Sequence, residues 1–283
     1  MPNFPIVDTH LHLWDLGRLR YPWLASVPAL NKNHLIDDYR RACGSVAVAK
    51  MVFLQCECDA TQHLAEADWV TEVARTDPRI RGIVPWAPVE RGEAAGDALS
   101  QLAANPLVKG IRRIIQFEAD QGFCLKPEFV RGVQLLHTHG LSFDLCINHR
   151  QLANTIKLVR QCPNVSFVLD HIGKPDIKAG LLDPWRAELR ELSRLENVWC
   201  KVSGLVTEAD FATWTPADLR PYLDHVIDCF GFGRVMFGGD WPVSTQATDY
   251  PRWVATLDDA LRGCSPDELR QLYVTNAEKF YRV

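Results

Sequence analysis

Val46-Ala47-Val48-Ala49-Lys50-Met51-Val52-Phe53-Leu54 is apolar at every position but one. A nearly continuous apolar run of this length reads as a strand buried on both faces, as in a parallel sheet covered by helices. Runs of the same kind recur, and strands are expected at 6–13, 46–56, 80–88, 109–116, 142–148, 166–171, 198–203 and 234–240. Helical periodicity fills the gaps. Leu64, Ala67, Val70 and Ala74 share one side of 62–76, and 181–195, 216–230 and 251–262 behave alike. Pro127 opens one helix and Gly140 closes it, while Ser265-Pro266-Asp267-Glu268 supplies a capping serine, a first-turn proline and early acids.

Eight strands with about eight helices in this length is the arithmetic of an α/β fold, the (β/α)8 TIM barrel. No linker or change of composition divides residues 1–283, so a single domain is expected. An open doubly wound sheet is the alternative, and it usually carries a glycine-rich turn after its first strand. Here Trp14-Asp15-Leu16-Gly17 follows instead. Residues 16–33, with Tyr21-Pro22-Trp23 and Pro28, read as a long loop over the barrel mouth, its aromatic residues packing it down or forming part of a substrate lid.

Composition narrows the function classes. The chain has 283 residues, 47% hydrophobic and 23% charged, which suits a packed globular core. A net charge of −4, without a basic stripe, gives no reason to expect nucleic-acid binding. No basic segment leads into an apolar one at the N-terminus, and no apolar run reaches the roughly 20 residues of a membrane helix. No membrane partner is expected, and the expected location is cytoplasmic. The nine cysteines are odd in number and scattered, which reads as reduced, buried thiols. Cys56-Glu57-Cys58 lacks the second pair that would complete a zinc knot.

In a barrel of this kind the C-terminal strand ends converge on the active site. The first strand ends in Asp8-Thr9-His10-Leu11-His12, and residues two apart in a strand face the same side, so His10 and His12 form a pair of imidazoles. The other ends carry Gln55 and Glu57, Trp86, Arg112, Arg113 and Gln116, Asn148-His149, Asp170-His171 with Lys174, Lys201 and Ser203, and Asp240. Each alone has a structural explanation, since buried histidines are commonly satisfied by hydrogen bonds and an acid after Gly-Gly is a good turn former. Arg112 and Arg113 alternate in direction, so at most one points inward and the other pairs with a surface acid. His34, His63, His137, His139 and His225 read as surface or helix-end residues. Jointly, three histidines and a carboxylate at barrel-compatible places mark a site.

Val7–Trp14, Leu169–Pro175, Cys200–Leu205 and Met236–Pro242 together resemble the amidohydrolase superfamily, in its amidohydrolase-related (type 2) branch. Within that branch the pattern is similar to sugar-acid lactonases of the fucono- and rhamnonolactonase types and to 2-pyrone-4,6-dicarboxylate hydrolase. The resemblance implies a (β/α)8 barrel and hydrolysis of a lactone or similar cyclic ester. Binuclear members carry a bridging Lys or Glu late in the fourth strand and a ligand His on the fifth. Here the fourth strand ends Ile114-Ile115-Gln116, with Lys109 at its start, and Asn148 precedes a His149 that would face the other way. The resemblance therefore implies one divalent ion, zinc foremost, held by His10, His12, His171 and Asp240. Metal-free action stays open, because the subgroup also contains members that work without metal.

For such a reaction Asp240 is the expected general base, assisted by His171. A metal on the histidines would act as Lewis acid; without it the imidazoles would orient water and polarise the carbonyl. Arg112 or Arg113 is expected to meet substrate oxygens, with Gln55, Glu57, Asn148, Lys174 and Trp86 as further contacts. Glu57 and Asp59, with Trp14, Trp86 and Trp241, favour a neutral aldonolactone such as L-fucono- or L-rhamnonolactone. Arg112, Arg113, Lys174 and Lys201 keep a pyrone dicarboxylate in view, and a metal-dependent decarboxylase on the same barrel is a third reading. The expected partner is a small molecule; oligomeric state is not legible from the sequence.

Overall fold

The computed structural model describes residues 2–283. The apolar run 46–54 forms β2 (Val48–Leu54), between β1 (Ile6–Leu11) and β3 (Ile80–Val84) and parallel to both. A second parallel sheet follows in chain order: β4 (Gly110–Ile111), β5 (Ser142–Leu145), β6 (Phe167–Leu169), β7 (Val198–Val202) and β8 (Val235–Phe237). Backbone hydrogen bonds cross both seams between the sheets. At one, Ile83 N donates to Leu107 O (2.7 Å) and Lys109 N to Ile83 O (3.0 Å); at the other, His12 N donates to Trp241 O and Asp240 N to His10 O (both 2.8 Å). These bonds turn two sheets into a (β/α)8 barrel.

A helix follows each strand. They are α1 (Ile36–Ala42), α2 (His63–Thr76), α3 (Gly96–Ala103), α4 (Pro127–Leu135), α5 (Leu152–Gln161), α6 (Trp185–Ser193), α7 (Pro216–Phe230) and α8 (Tyr250–Ala260), with α9 (Pro266–Arg270) and α10 (Asn276–Tyr281) closing the chain. Their ends follow local chemistry. Thr215 and Asp218 form a capping box at α7, and Ser265 and Glu268 do so at α9, each ahead of a first-turn proline. All the strands are shorter than the apolar runs suggest. Pro85, which has no N–H to give, ends β3. Beyond Ile111 the chain keeps bonding its neighbours without ladder regularity: Arg112 N donates to Pro85 O and Ile115 N to Cys146 O.

Two expected surface histidines are corrected. His34 is buried edge-on against Trp14 and Trp241, with ring centroids 4.9 and 5.4 Å apart, because its backbone pairs with that of Trp14. His225 lies on the inward stripe of α7 beside Tyr222 and Val226 and packs on Trp185. The nine cysteines are all free. Among the described residues no helix is long and apolar enough to cross a membrane.

The end of the chain plugs the N-terminal mouth of the barrel. Phe280 and Tyr281 pack with Val52, Val84, Val168 and Met236, while Lys50, near the start of β2, donates to Val283 O. The Tyr281 hydroxyl reaches Asp144 Oδ2 at 2.6 Å inside the barrel.

Candidate active site

A bulge in β1 sorts its polar residues. Asp8 pairs with Met51 and Leu11 with Phe53, so three steps on β1 oppose two on β2. Bulges of this kind re-aim side chains. Asp8 accepts from Tyr39 and Tyr250 hydroxyls (2.8 and 2.9 Å) and from Gly239 N (2.8 Å). His10 and His12 instead sit ring to ring, with centroids 4.9 Å apart, and His171 lies 4.3 Å from His10. Gly239 is required for this packing: a Cβ there would stand 2.3 Å from the Tyr250 ring and 2.5 Å from Asp8 Oδ2.

Asp240 follows with a φ of 54°. Its Oδ1 lies 3.7, 3.6 and 3.9 Å from Nε2 of His10, His12 and His171. Hydrogen-bond partners fix the tautomers of His12 and His10. Leu54 O can only accept, so His12 carries its proton on Nδ1, 2.9 Å away, and presents a lone pair at Nε2. Arg112 Nη1 can only donate, so His10 Nε2, at 3.1 Å, also presents a lone pair, and its Nδ1–H faces Asp170 Oδ1 at 3.4 Å. His171 Nδ1 meets Ser203 Oγ at 2.9 Å. Burial pushes the pKa of all three imidazoles down; Lys201 and His12 add to the effect at His10, and His10 and Lys174 add to it at His171. They are neutral at physiological pH.

The His12 and His10 lone pairs and the Asp240 carboxylate therefore face one another, and the Arg112 guanidinium already meets the His10 one. Zinc ligands sit about 2.0–2.1 Å from the ion, so two of them stand roughly 3–4 Å apart. The separations here match, and the donors of His10, His12 and Asp240 all lie within 4.8 Å of one another. These three donors fit one divalent ion, and His171 falls in a second such group with His10 and Asp170.

A buried charge network lies beneath. Asp170 Oδ2 is 3.2 Å from Arg112 Nη1, and its Oδ1 is 3.1 Å from Lys201 Nζ, which is also 2.6 Å from Asp144. Despite its burial, Asp170 is held below the usual carboxylate range by Lys201 and Arg112. Above the histidines opens a cavity of about 460 Å³. Its floor is Arg112, Lys174, His12, His171 and Asp240, with His10 fully buried behind them, and Trp14, Trp23, Ile114 and Phe117 wall it.

The sequence profile of the amidohydrolase family matches residues 7–283. The chain belongs to the amidohydrolase family. L-fucono-1,5-lactonase of Burkholderia multivorans is 34% identical over 262 residues, covering 89% of this chain and 86% of that protein. L-rhamnono-gamma-lactonase of Scheffersomyces stipitis is 25% identical over 338 residues, covering the whole of both. Among solved structures, an amidohydrolase from Burkholderia multivorans with bound zinc superposes with a TM-score of 0.89 at 29% identity, covering 99% of this chain and 100% of that one.

In this amidohydrolase the expected site residues separate into two groups. His12, His171, Asp240, Arg112, Lys174 and Glu57 come together at the cavity or its rim, and His10 lies buried against Arg112 and Asp240. The others are placed differently. Gln55 is fully buried and spent on Glu57, accepting from its backbone N (2.5 Å) and donating to its Oε1 (2.8 Å). Asn148 caps a helical turn, accepting from Arg150 N and donating to Gln116 O. Arg113 is held by Glu90 and Glu118 at 3.4 and 2.6 Å, and Trp86 rests edge-on against His63. Arg113 and Trp86 line an adjoining depression that shares only Glu57, Ile114 and Phe117 with the cavity. Lys174 lies 3.5 Å from Glu208; despite burial, Cys146, Glu208 and Asp240 hold its pKa above the ordinary lysine value.

Sequence reasoning missed Asp144 and Glu208. The available signal for Asp144 was a lone acid in an apolar strand, answered by a lone base, Lys201, in another. Backbone strain marks the site independently. Glu57, His171, Ile172, Lys174 and Asp240 all have φ between 49° and 54°, and they are five of the six non-glycine residues with positive φ among those described. Such residues persist where the surrounding structure forces them, typically at functional sites.

Proposed function

We propose that this amidohydrolase opens the ring of a sugar-acid lactone by adding water to its carbonyl. The observation that carries the reading is the position of Asp240, a carboxylate within 3.6–3.9 Å of three neutral imidazole nitrogens on the floor of a cavity. His12 Nε2 offers a lone pair that holds a water proton, and Asp240 is placed to take the proton of that water as its oxygen attacks the carbonyl carbon. The developing oxyanion is stabilised by the cationic donors of Arg112 and Lys174. Ring opening breaks the bond to the alkoxide oxygen, and the proton on Asp240 passes to it. The sum is lactone plus water to hydroxy acid. His10, His12, His171 and Asp240 would hold a divalent ion, whose chemistry there would be Lewis-acid polarisation of the carbonyl.

The wall supports a neutral substrate. Both cations of the floor are already paired, Arg112 with Asp170 and Lys174 with Glu208, and Arg113 is taken by Glu90 and Glu118. A dicarboxylate would need free cations, whereas Trp14, Trp23 and Phe117 offer apolar faces for the C–H side of a sugar ring. A pH-indicator screen of aldonolactones and pyrone dicarboxylate, with and without chelator, tests the reading. Proton release is expected with an aldonolactone, and Asp240→Asn should lower kcat about 100-fold or more while substrate affinity stays within a few-fold. Release from no lactone, or an unimpaired Asp240→Asn enzyme, would overturn it.

A further inference from the structure

Metal-binding histidines ordinarily give their second ring N–H to an acceptor, which leaves the metal-binding nitrogen free. His12 follows that pattern through Leu54 O. His10 does not. Its Nε2, the nitrogen that faces Asp240, already accepts from the guanidinium of Arg112 at 3.1 Å. Arg112 is fixed there: its Nη1 also lies 3.2 Å from Asp170 Oδ2, and its Nη2 donates to Gln55 O. The nitrogen that completes the donor set is thus capped by a buried cation that cannot be deprotonated.

The charges point the same way. Beneath the site two buried cations, Arg112 and Lys201, face two buried carboxylates, Asp144 and Asp170. Lys174 has Glu208. Asp240 is the carboxylate that faces the histidines, and a divalent ion between them would stand within a few Å of the Arg112 charge. Letting go of His10 costs Arg112 one hydrogen bond, while its Nη2 keeps the Gln55 O contact.

We infer that Arg112 is a resident cation that competes with the metal for His10 Nε2, so that the ion binds weakly and exchangeably and loads only when Arg112 releases the imidazole. The inference stands on the donor geometry and holds whatever the substrate. It is tested by zinc affinity, measured by competition with a chromophoric chelator on metal-stripped protein. Arg112→Met should bind zinc at least tenfold more tightly than the wild type, and added guanidinium chloride at millimolar concentration should weaken that binding in the variant and not in the wild type. Equal or weaker affinity in Arg112→Met, or no zinc binding by either protein, would overturn the inference. Should Arg112→Met fail to fold, the wild type decides by NMR. The Arg112 Nη protons should be slowly exchanging in the metal-free protein and shift on zinc addition. Arg112 signals unmoved at saturating zinc would count against the competition.

Discussion

Glu66 occupies a position in α2 where an apolar side chain would be expected. It is fully buried, and its Oε1 accepts from the backbone N of Cys56 at 3.2 Å, fastening the strand end that leads to Glu57 at the cavity rim. Burial pushes its pKa from 4.5 up to about 8, against the pull of the Cys56 amide and of Arg112. The carboxyl is therefore mostly protonated at neutral pH. Between those two values the folded protein binds a proton that the unfolded chain has lost, so stability falls as pH rises through that window, by up to about 1.4 kcal/mol per pH unit. Glu66→Gln keeps the acceptor and removes the titration. Urea denaturation should find the variant close to wild type at pH 4.5 and more stable than it at pH 8, by about 1–3 kcal/mol once partial relaxation is allowed for. An equal offset at both pH values would show that folding does not raise the Glu66 pKa.

At the scale of single elements, the strand ends combine tight packing with forced backbone. Gly204, just after β7, has a φ of 64°, and a Cβ there would stand 2.4 Å from His171 Nδ1. Gly204→Ala should push His171 off Ser203 Oγ and away from Asp240. The expected result is a fall in kcat of about tenfold or more, with a lower melting temperature; Ser203→Ala, which removes only the hydrogen bond, should cost less in both. Unchanged kcat in Gly204→Ala would mean that the His171 position does not limit the reaction. The existence of these elements was legible because strands covered on both faces have no polar alternation to confuse with loops. Their limits were not. Pro85 cuts β3 short, and the β1 bulge breaks the two-residue alternation that would have put Asp8 on the same face as His10 and His12. Arg112 and Arg113 illustrate the same boundary. Alternation says that they diverge, but only the positions of Asp170 on one side and Glu90 and Glu118 on the other decide which turns inward.

Across the whole molecule, a column of buried polar groups runs from the plugged end of the barrel to the site. Tyr281 donates to Asp144, Asp144 pairs with Lys201, Lys201 with Asp170, and Asp170 with Arg112 and the Nδ1 side of His10. The strand-end residues of the site could be read from the sequence because the fold brings all such ends to one mouth. The column could not, since Asp144 lies 57 positions from Lys201 and 137 from Tyr281, and nothing local pairs them. Breaking a buried ion pair by removing one partner costs about 3–5 kcal/mol, because the remaining charge is left unpaired. Lys201→Met leaves Asp144 with no cation and Asp170 with Arg112 alone, so it should destabilise strongly and also disturb His10. Tyr281→Phe removes a hydrogen bond to a buried charged group and leaves Lys201 in place. It should cost about 1.5–3 kcal/mol in urea denaturation, while kcat/KM falls less than about threefold, because the loss is taken up at the far end of the column. A larger loss of kcat/KM with stability intact would mean that the hydroxyl acts on the site through the column. Unchanged stability would mean that Asp144 does not depend on Tyr281.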